Sequence, residues 1–246
     1  MTDMKFKFTI QPYQTEAVNS VVGVFAGQPY NDRFTYRRDV NIERDVTNWM
    51  LSDEELYMGF ANNQVRLDLG QLLTNVNRIQ GRNNIALAKT IASGGLGACS
   101  LDVEMETGTG KTYVYIKTMF ELNKQYGWSK FIVVVPSIAI REGVRKSFET
   151  MQDHFMEHYR KKARFFVYDS KNLAEIDNFS QSADINVMII NIQAFNARGK
   201  DARRIRTELD VFGSRKPIDV IKANRPIVIL DEPQKMGGKA TQESLK

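Results

Sequence analysis

Residues 104–115 read Glu-Met-Glu-Thr-Gly-Thr-Gly-Lys-Thr-Tyr-Val-Tyr, with two glycines and a lysine set between a short apolar run and a helix-forming stretch. Glycine inside regular structure weakens it, so paired glycines mark a tight turn. Leu-Asp-Val-Glu-Met at 101–105 reads as a short strand entering that turn, and 111–125 reads as a helix that starts at the lysine. A strand, a glycine turn and a helix in this order form a phosphate-binding loop. Backbone N–H groups of the turn approach phosphate oxygens closely, and the helix N-terminus adds partial positive charge. Thr107, Gly108, Thr109 and Gly110 make the cradle, Lys111 reaches the β- and γ-phosphates, and the Thr112 hydroxyl ligates Mg²⁺. The common pattern, G-x-x-x-x-G-K-[S/T], has Met105 at its first glycine position here. The inner Gly-Thr-Gly-Lys-Thr and its place before a helix carry the reading, against the plain alternative of a glycine turn beside a surface lysine.

The chain around this loop alternates strands and helices. Lys130–Val135 (KFIVVV) is a continuous apolar, β-branched run stopped by Pro136, as in a strand covered on both faces of a parallel sheet. FFVY at 165–168, NVMIINI at 186–192 and PIVIL at 226–230 are further strands, and 138–159 has helical composition. The alternation predicts an α/β domain with a mainly parallel sheet over residues 98–246. Residues 1–27 are a lead-in. Residues 28–97 are mixed and polar, with helical composition around 40–60 and 64–92 and a flexible SGGLG connector at 93–97, and are expected to form a mainly helical insertion.

Composition narrows the function classes. Among 246 residues, 42% are hydrophobic and 26% charged, ordinary for a soluble globular protein. No apolar run approaches the roughly 20 residues that span a bilayer, and MTDMKFKFTI lacks the apolar core of a signal peptide. The single cysteine, Cys99, excludes an internal disulfide framework and a multi-cysteine metal site, and reads as a packing residue. A cytoplasmic location with no membrane partner is the expectation. The net charge of +5 is compatible with a polyanion partner without establishing one. The clusters Arg160-Lys161-Lys162 and Arg203, Arg204, Arg206, each taken alone, are solvated helix faces.

Nucleotide hydrolysis needs an acid near the metal and a group that orients water. PIVILDEPQ at 226–234 supplies both: an apolar strand with Asp231 and Glu232 at its C-terminal end, the side of an open parallel sheet where ligands bind. Asp231 would approach the metal held by Thr112, and Glu232 would accept a proton from the attacking water. A surface turn after a buried strand is the alternative for either acid alone. A competing pattern, His154-Phe-Met-Glu157-His158, matches the zinc signature H-x-x-E-H. It has no identifiable third ligand, and a solvated amphipathic helix explains it more simply.

Gly-Thr-Gly-Lys-Thr followed by Asp-Glu after an apolar strand resembles the superfamily 2 helicases and translocases. ETGTGKTYVYIKTMFELNKQYGWSKFIVVVPSIAIREGV together with DEPQKM more narrowly resembles the restriction (Res) subunit of type III restriction–modification enzymes. The resemblance implies a three-layer RecA-like P-loop NTPase fold, ATP and Mg²⁺ as cofactors, duplex DNA and a modification (methyltransferase) subunit as partners, and Lys111, Asp231, Glu232 and Gln234 as catalytic residues. Gln234 would sense the γ-phosphate. In QPYQTEAV at 11–18, Gln14 resembles the glutamine that reads adenine, its amide offering a donor and an acceptor. PSIAIREGV at 136–144 resembles a motif that contacts the nucleic-acid backbone, which implies DNA contacts by Ser137, Arg141 and Arg145; a solvated helix start is the alternative. IINIQAFN at 189–196 resembles a second groove motif, with Gln193 and Asn196 as its polar candidates. The second motor domain with its arginine fingers, the coupling motif after DEPQ and the nuclease domain find no counterpart after Gln234. The expectation is therefore a first motor domain with its lead-in, weakly active alone. Another superfamily 2 DNA helicase, or a non-hydrolysing nucleotide-dependent assembly module, remains open.

Overall fold

The computed structural model describes residues 8–32, 34–38, 58–92, 99–194 and 204–236. Asn196, Arg203, the 93–97 connector and most of the 40–60 stretch fall outside these residues.

Helix α1, Pro12–Gly23, opens on a proline, tolerated where the missing N–H has no helical partner anyway. Strands β1 (Thr35–Arg37) and β2 (Met58–Phe60) form a small antiparallel ladder. Helix α2, Leu69–Arg82, starts in a capping box: the Gln71 N–H donates to the Asp68 carboxylate and the Asp68 N–H to the Gln71 side chain. Helix α3, Lys111–Tyr126, begins at the predicted lysine. It ends at Gly127 in the left-handed region, where any Cβ would collide with the Asn31 carbonyl. Then follow β3 (Lys130–Val135), α4 (Ile138–Tyr159), β4 (Arg164–Val167), α5 (Ala174–Gln181), β5 (Asn186–Asn191), α6 (Pro217–Ala223) and β6 (Ile227–Leu230).

The main sheet is parallel, in the order β4-β5-β3-β6. Alternation along the strands builds two cores. Phe131, Val133 and Val135 join Val187 and Ile189 beneath α1, α2, α3 and α4. Ile132 and Val134 join Met188 and Ile190 on the other face, against Ile176 and Phe179 of α5 and Ile221 of α6. The chain thus forms the expected three-layer α/β fold with a parallel sheet. No described helix is long and apolar enough to cross a membrane.

Two local expectations are corrected. Residues 101–105 form no strand: Leu101 and Met105 pack against the first core, but Val103 is 49% exposed and, among the described residues, β6 is hydrogen-bonded to β3 alone. A strand exists only through a neighbour's ladder, and period-2 apolar spacing cannot supply one. The 64–92 stretch is helical only over α2, and its surroundings contribute the β1–β2 ladder.

The described part of 28–97 is sewn into the sheet domain. Leu72 is fully buried there. The Asn62 side chain donates to the Lys130 and Arg225 carbonyls and accepts from the Ser129 and Lys130 N–H groups, at 2.8–3.0 Å. The Trp128 indole donates to the Asn63 carbonyl at 3.0 Å.

Candidate nucleotide-binding site

Gly108 and Gly110 adopt φ +82 and +87, conformations that L side chains resist. Gly110 is the N-cap of α3, whose first N–H groups have no partner within the helix. The loop is anchored from α1. The buried Gln14 amide donates to the Thr109 carbonyl at 2.9 Å, and the Tyr13 hydroxyl donates to the same oxygen at 3.1 Å. The Thr109 hydroxyl closes the turn on the Glu106 carbonyl at 2.6 Å. The donor half of Gln14, the residue expected at adenine, is engaged with the loop itself. Tyr13 was not singled out by the sequence.

The acidic pair arrives on β6. The Asp231 N–H donates to the Val134 carbonyl at 2.9 Å, which carries the ladder one residue past the strand. Burial pushes the Asp231 carboxyl up, and the neighbouring Glu232 charge adds to this against the pull of Lys111. Glu232 sits at φ +55, unusual for a residue with a Cβ. Its carboxylate accepts from Lys111 Nζ at 3.3 Å and Gln234 Nε2 at 2.6 Å, and Lys235 Nζ lies 3.5 Å away. Lys111 foremost holds the Glu232 carboxyl below its usual range. The structure thus brings Lys111, Asp231, Glu232 and Gln234 together at the carboxyl edge of the sheet. Tyr115, one helical turn beyond Thr112, also reaches this cluster: its hydroxyl lies within polar range of Thr112 and Asp231 without a hydrogen bond of good geometry to either. Helical spacing from Thr112 could have flagged it.

The donor set suits a magnesium nucleotide. Gly108 lies where a Cβ would meet nothing within 4 Å, leaving open space for a phosphate. The Thr112 hydroxyl and the Asp231 carboxylate are oxygen donors of the kind Mg²⁺ takes alongside substrate phosphates.

Of the residues expected at DNA, Ser137 and Gln193 follow the carboxyl ends of β3 and β5, Arg141 and Arg145 lie on α4, and Asn196 falls outside the described residues. The Ser137 hydroxyl caps α4 by accepting from the Ile140 N–H at 3.3 Å. Arg141 pairs with Glu142 at 3.0 Å; Arg145 pairs with Glu142 at 2.9 Å and Glu149 at 2.5 Å. Gln193 donates to the Pro136 carbonyl at 3.0 Å, joining the ends of β5 and β3. Of the zinc-like pattern, His154 belongs to packing, buried among Phe8, Tyr113 and Phe155 with the Tyr113 hydroxyl 3.1 Å from its Nε2, while His158 is exposed and sets its Nδ1 2.9 Å from the His154 carbonyl. Among the described residues, no group of three or more His, Cys, Asp or Glu could hold a metal ion.

A family model described as the type III restriction enzyme res subunit matches residues 74–245. The Res subunit of the type III restriction-modification enzyme EcoP15I from Escherichia coli is 30% identical over 215 residues, 80% of this chain and 22% of that protein. The EcoPI Res subunit of Escherichia phage P1 is 30% identical over 205 residues, 76% of this chain and 21% of that protein. The StyLTI Res subunit of Salmonella typhimurium is 36% identical over 157 residues, 55% of this chain and 16% of that protein. The chain spans about a fifth of the length of the first two.

Proposed function

Because this chain belongs to the Res-subunit family of type III restriction enzymes, we propose that it is the ATP-binding first motor domain of such a subunit. Residues 1–27 are its lead-in, 28–97 its insertion and 98–246 its RecA-like core. Thr107, Gly108, Thr109 and Gly110 wrap the phosphates with backbone N–H groups, and Lys111 pairs with the β- and γ-oxygens. Thr112 and Asp231 are the groups that would hold Mg²⁺, which supplies charge neutralisation of the phosphates. Glu232 takes the proton of the attacking water, Gln234 reports on the γ-phosphate, and Gln14, its amide nitrogen engaged with Thr109, turns its amide oxygen toward adenine. In the whole enzyme, hydrolysis would drive movement or switching on duplex DNA and license cleavage. The modification (methyltransferase) subunit would choose the site, and a second motor domain would close the cleft. Ser137, Arg141, Arg145, Gln193 and Asn196 would face the DNA backbone. A cytoplasmic setting follows from that role.

The observation that supports this reading most directly is the 3.3 Å approach of Lys111 to Glu232, which joins the glycine loop to the acidic strand end. The test is ATP turnover by the complete Res polypeptide with Glu232→Gln. A loss of roughly 10² or more supports the assignment. Unchanged turnover removes Glu232 as the catalytic base and counts against the motor assignment. Without a second domain's arginine, turnover by this chain alone is expected to be lower by about 10³–10⁵.

A further inference from the structure

The Tyr115 hydroxyl is sealed from solvent within polar reach of Thr112 and Asp231, without a hydrogen bond of good geometry to either. Tyr115 follows Thr112 by three residues on α3, so both side chains rise from one face of the helix. From there the hydroxyl reaches the end of β6. A buried hydroxyl without a partner is costly, and a phenylalanine would fill the same volume without that cost. Packing alone therefore does not account for a tyrosine here. A carboxylate has two oxygens and about four lone-pair sites, so one oxygen can ligate a cation while the other accepts a hydrogen bond. The Asp231 backbone is fixed by its bond to Val134, which leaves the side chain to be oriented by its neighbours.

We propose that Tyr115 is a positioning residue for the cation site, its hydroxyl donating to the Asp231 oxygen that does not ligate once cation and nucleotide draw Asp231 and Thr112 together. The bond left unmade in the resting fold is then formed on loading, and it fixes which Asp231 oxygen faces the metal. Outer-shell partners of this kind typically govern 10–100-fold in metal affinity. The inference rests on the nucleotide-site reading above.

The test compares Tyr115→Phe with the parent in the complete Res polypeptide, with Mn²⁺ as the spectroscopic probe and ADP as the nucleotide. Paramagnetic resonance of free Mn²⁺ should report an affinity of the ADP-saturated protein lowered by roughly 10-fold. ADP binding in chelator should match the parent. The unliganded variant should melt no lower than the parent, because it loses only an unpaired hydroxyl. Parental Mn²⁺ affinity in Tyr115→Phe overturns the proposal. So does a lower melting temperature without ligand, which would mark a hydroxyl already bonded in the resting fold. Tyr113→Phe, whose hydroxyl faces His154 instead, should keep parental Mn²⁺ affinity; an equal loss there also overturns it. A parent that binds no Mn²⁺ with ADP overturns the nucleotide site itself, and Tyr115 with it.

Discussion

Lys111 and Glu232 meet at 3.3 Å between the first residue of α3 and the residue after next beyond β6, a base from the glycine loop paired with an acid from a strand tip. Both side chains keep contact with water, at 34% and 22% exposure, so geometry rather than burial sustains the pair. A nucleotide phosphate and the Glu232 carboxylate therefore compete for one ammonium.

That competition gives Glu232→Gln two opposite effects. Turnover should fall by roughly 10² or more. ATP should bind several-fold more tightly, because the carboxylate bonded to Lys111 is gone. A fluorescent-nucleotide titration run beside a phosphate-release assay reads both. Weakened binding would show that Glu232 presents Lys111 to the phosphate rather than competing for it.

The two loop glycines should fail differently. An added Cβ at Gly110 meets Gln14 Nε2 at 2.6 Å, whereas at Gly108 it meets nothing within 4 Å. Gly108→Ala should cost only the left-handed backbone, about 1–2 kcal/mol, while its methyl crowds the phosphate and weakens nucleotide binding. Gly110→Ala should cost more than that, by displacing the amide that anchors Thr109. Urea midpoints of the two variants, measured side by side, give the comparison.

Asn62 satisfies four backbone groups from inside the core and is 3% exposed. Asn62→Ala strands them all, and each such group costs about 1–3 kcal/mol when left unpaired. A loss of at least about 3 kcal/mol in equilibrium unfolding is expected. Asn62→Asp should not rescue it, because a carboxylate accepts but cannot donate to the Lys130 and Arg225 carbonyls.

Lys130 makes stability rise with pH. Its ammonium is fully buried and bonded to the Phe179 and Ser182 carbonyls. Desolvation, opposed in part by Asp184, brings its pKa down from the ordinary 10.5 to about 7. Across that window the unfolded chain binds more protons than the folded one, so stability climbs as the pH rises. Between pH 7 and pH 9 the gain should be on the order of 2 kcal/mol. Lys130→Met should lack the climb. Denaturant midpoints at the two pH values check it, and parallel slopes for parent and variant would rule Lys130 out as the titrating group.

The segments that announced themselves did so through continuous apolar runs and punctuation. Lys130–Val135 is all apolar after its first residue and ends at Pro136, and the β3 strand has those bounds. The helix over 138–159 was legible from composition, and the α3 start at Lys111 followed from the glycine turn. Residues 101–105 misled because strand identity depends on a neighbour that local sequence does not contain. The short α5 and α6 and the three-residue β1 and β2 carry too few periods of either spacing to be recognised. At the site, the residue types told of Lys111, Asp231 and Glu232. What they could not tell was that Gln14 would spend its donors on Thr109, that Arg141 and Arg145 would be matched by Glu142 and Glu149, or that a tyrosine hydroxyl would end up dry beside the aspartate. Those outcomes depend on side chains meeting across the fold.

Asn62 and Trp128 have a practical bearing on anyone trimming this protein. A version cut at residue 98 would discard the clasp on Ser129 and Lys130 at the start of β3, the acceptor for the Trp128 indole and the fully buried Leu72. The stretch that looks like an appendage behaves as a keystone, and excising it should yield insoluble protein rather than a smaller engine.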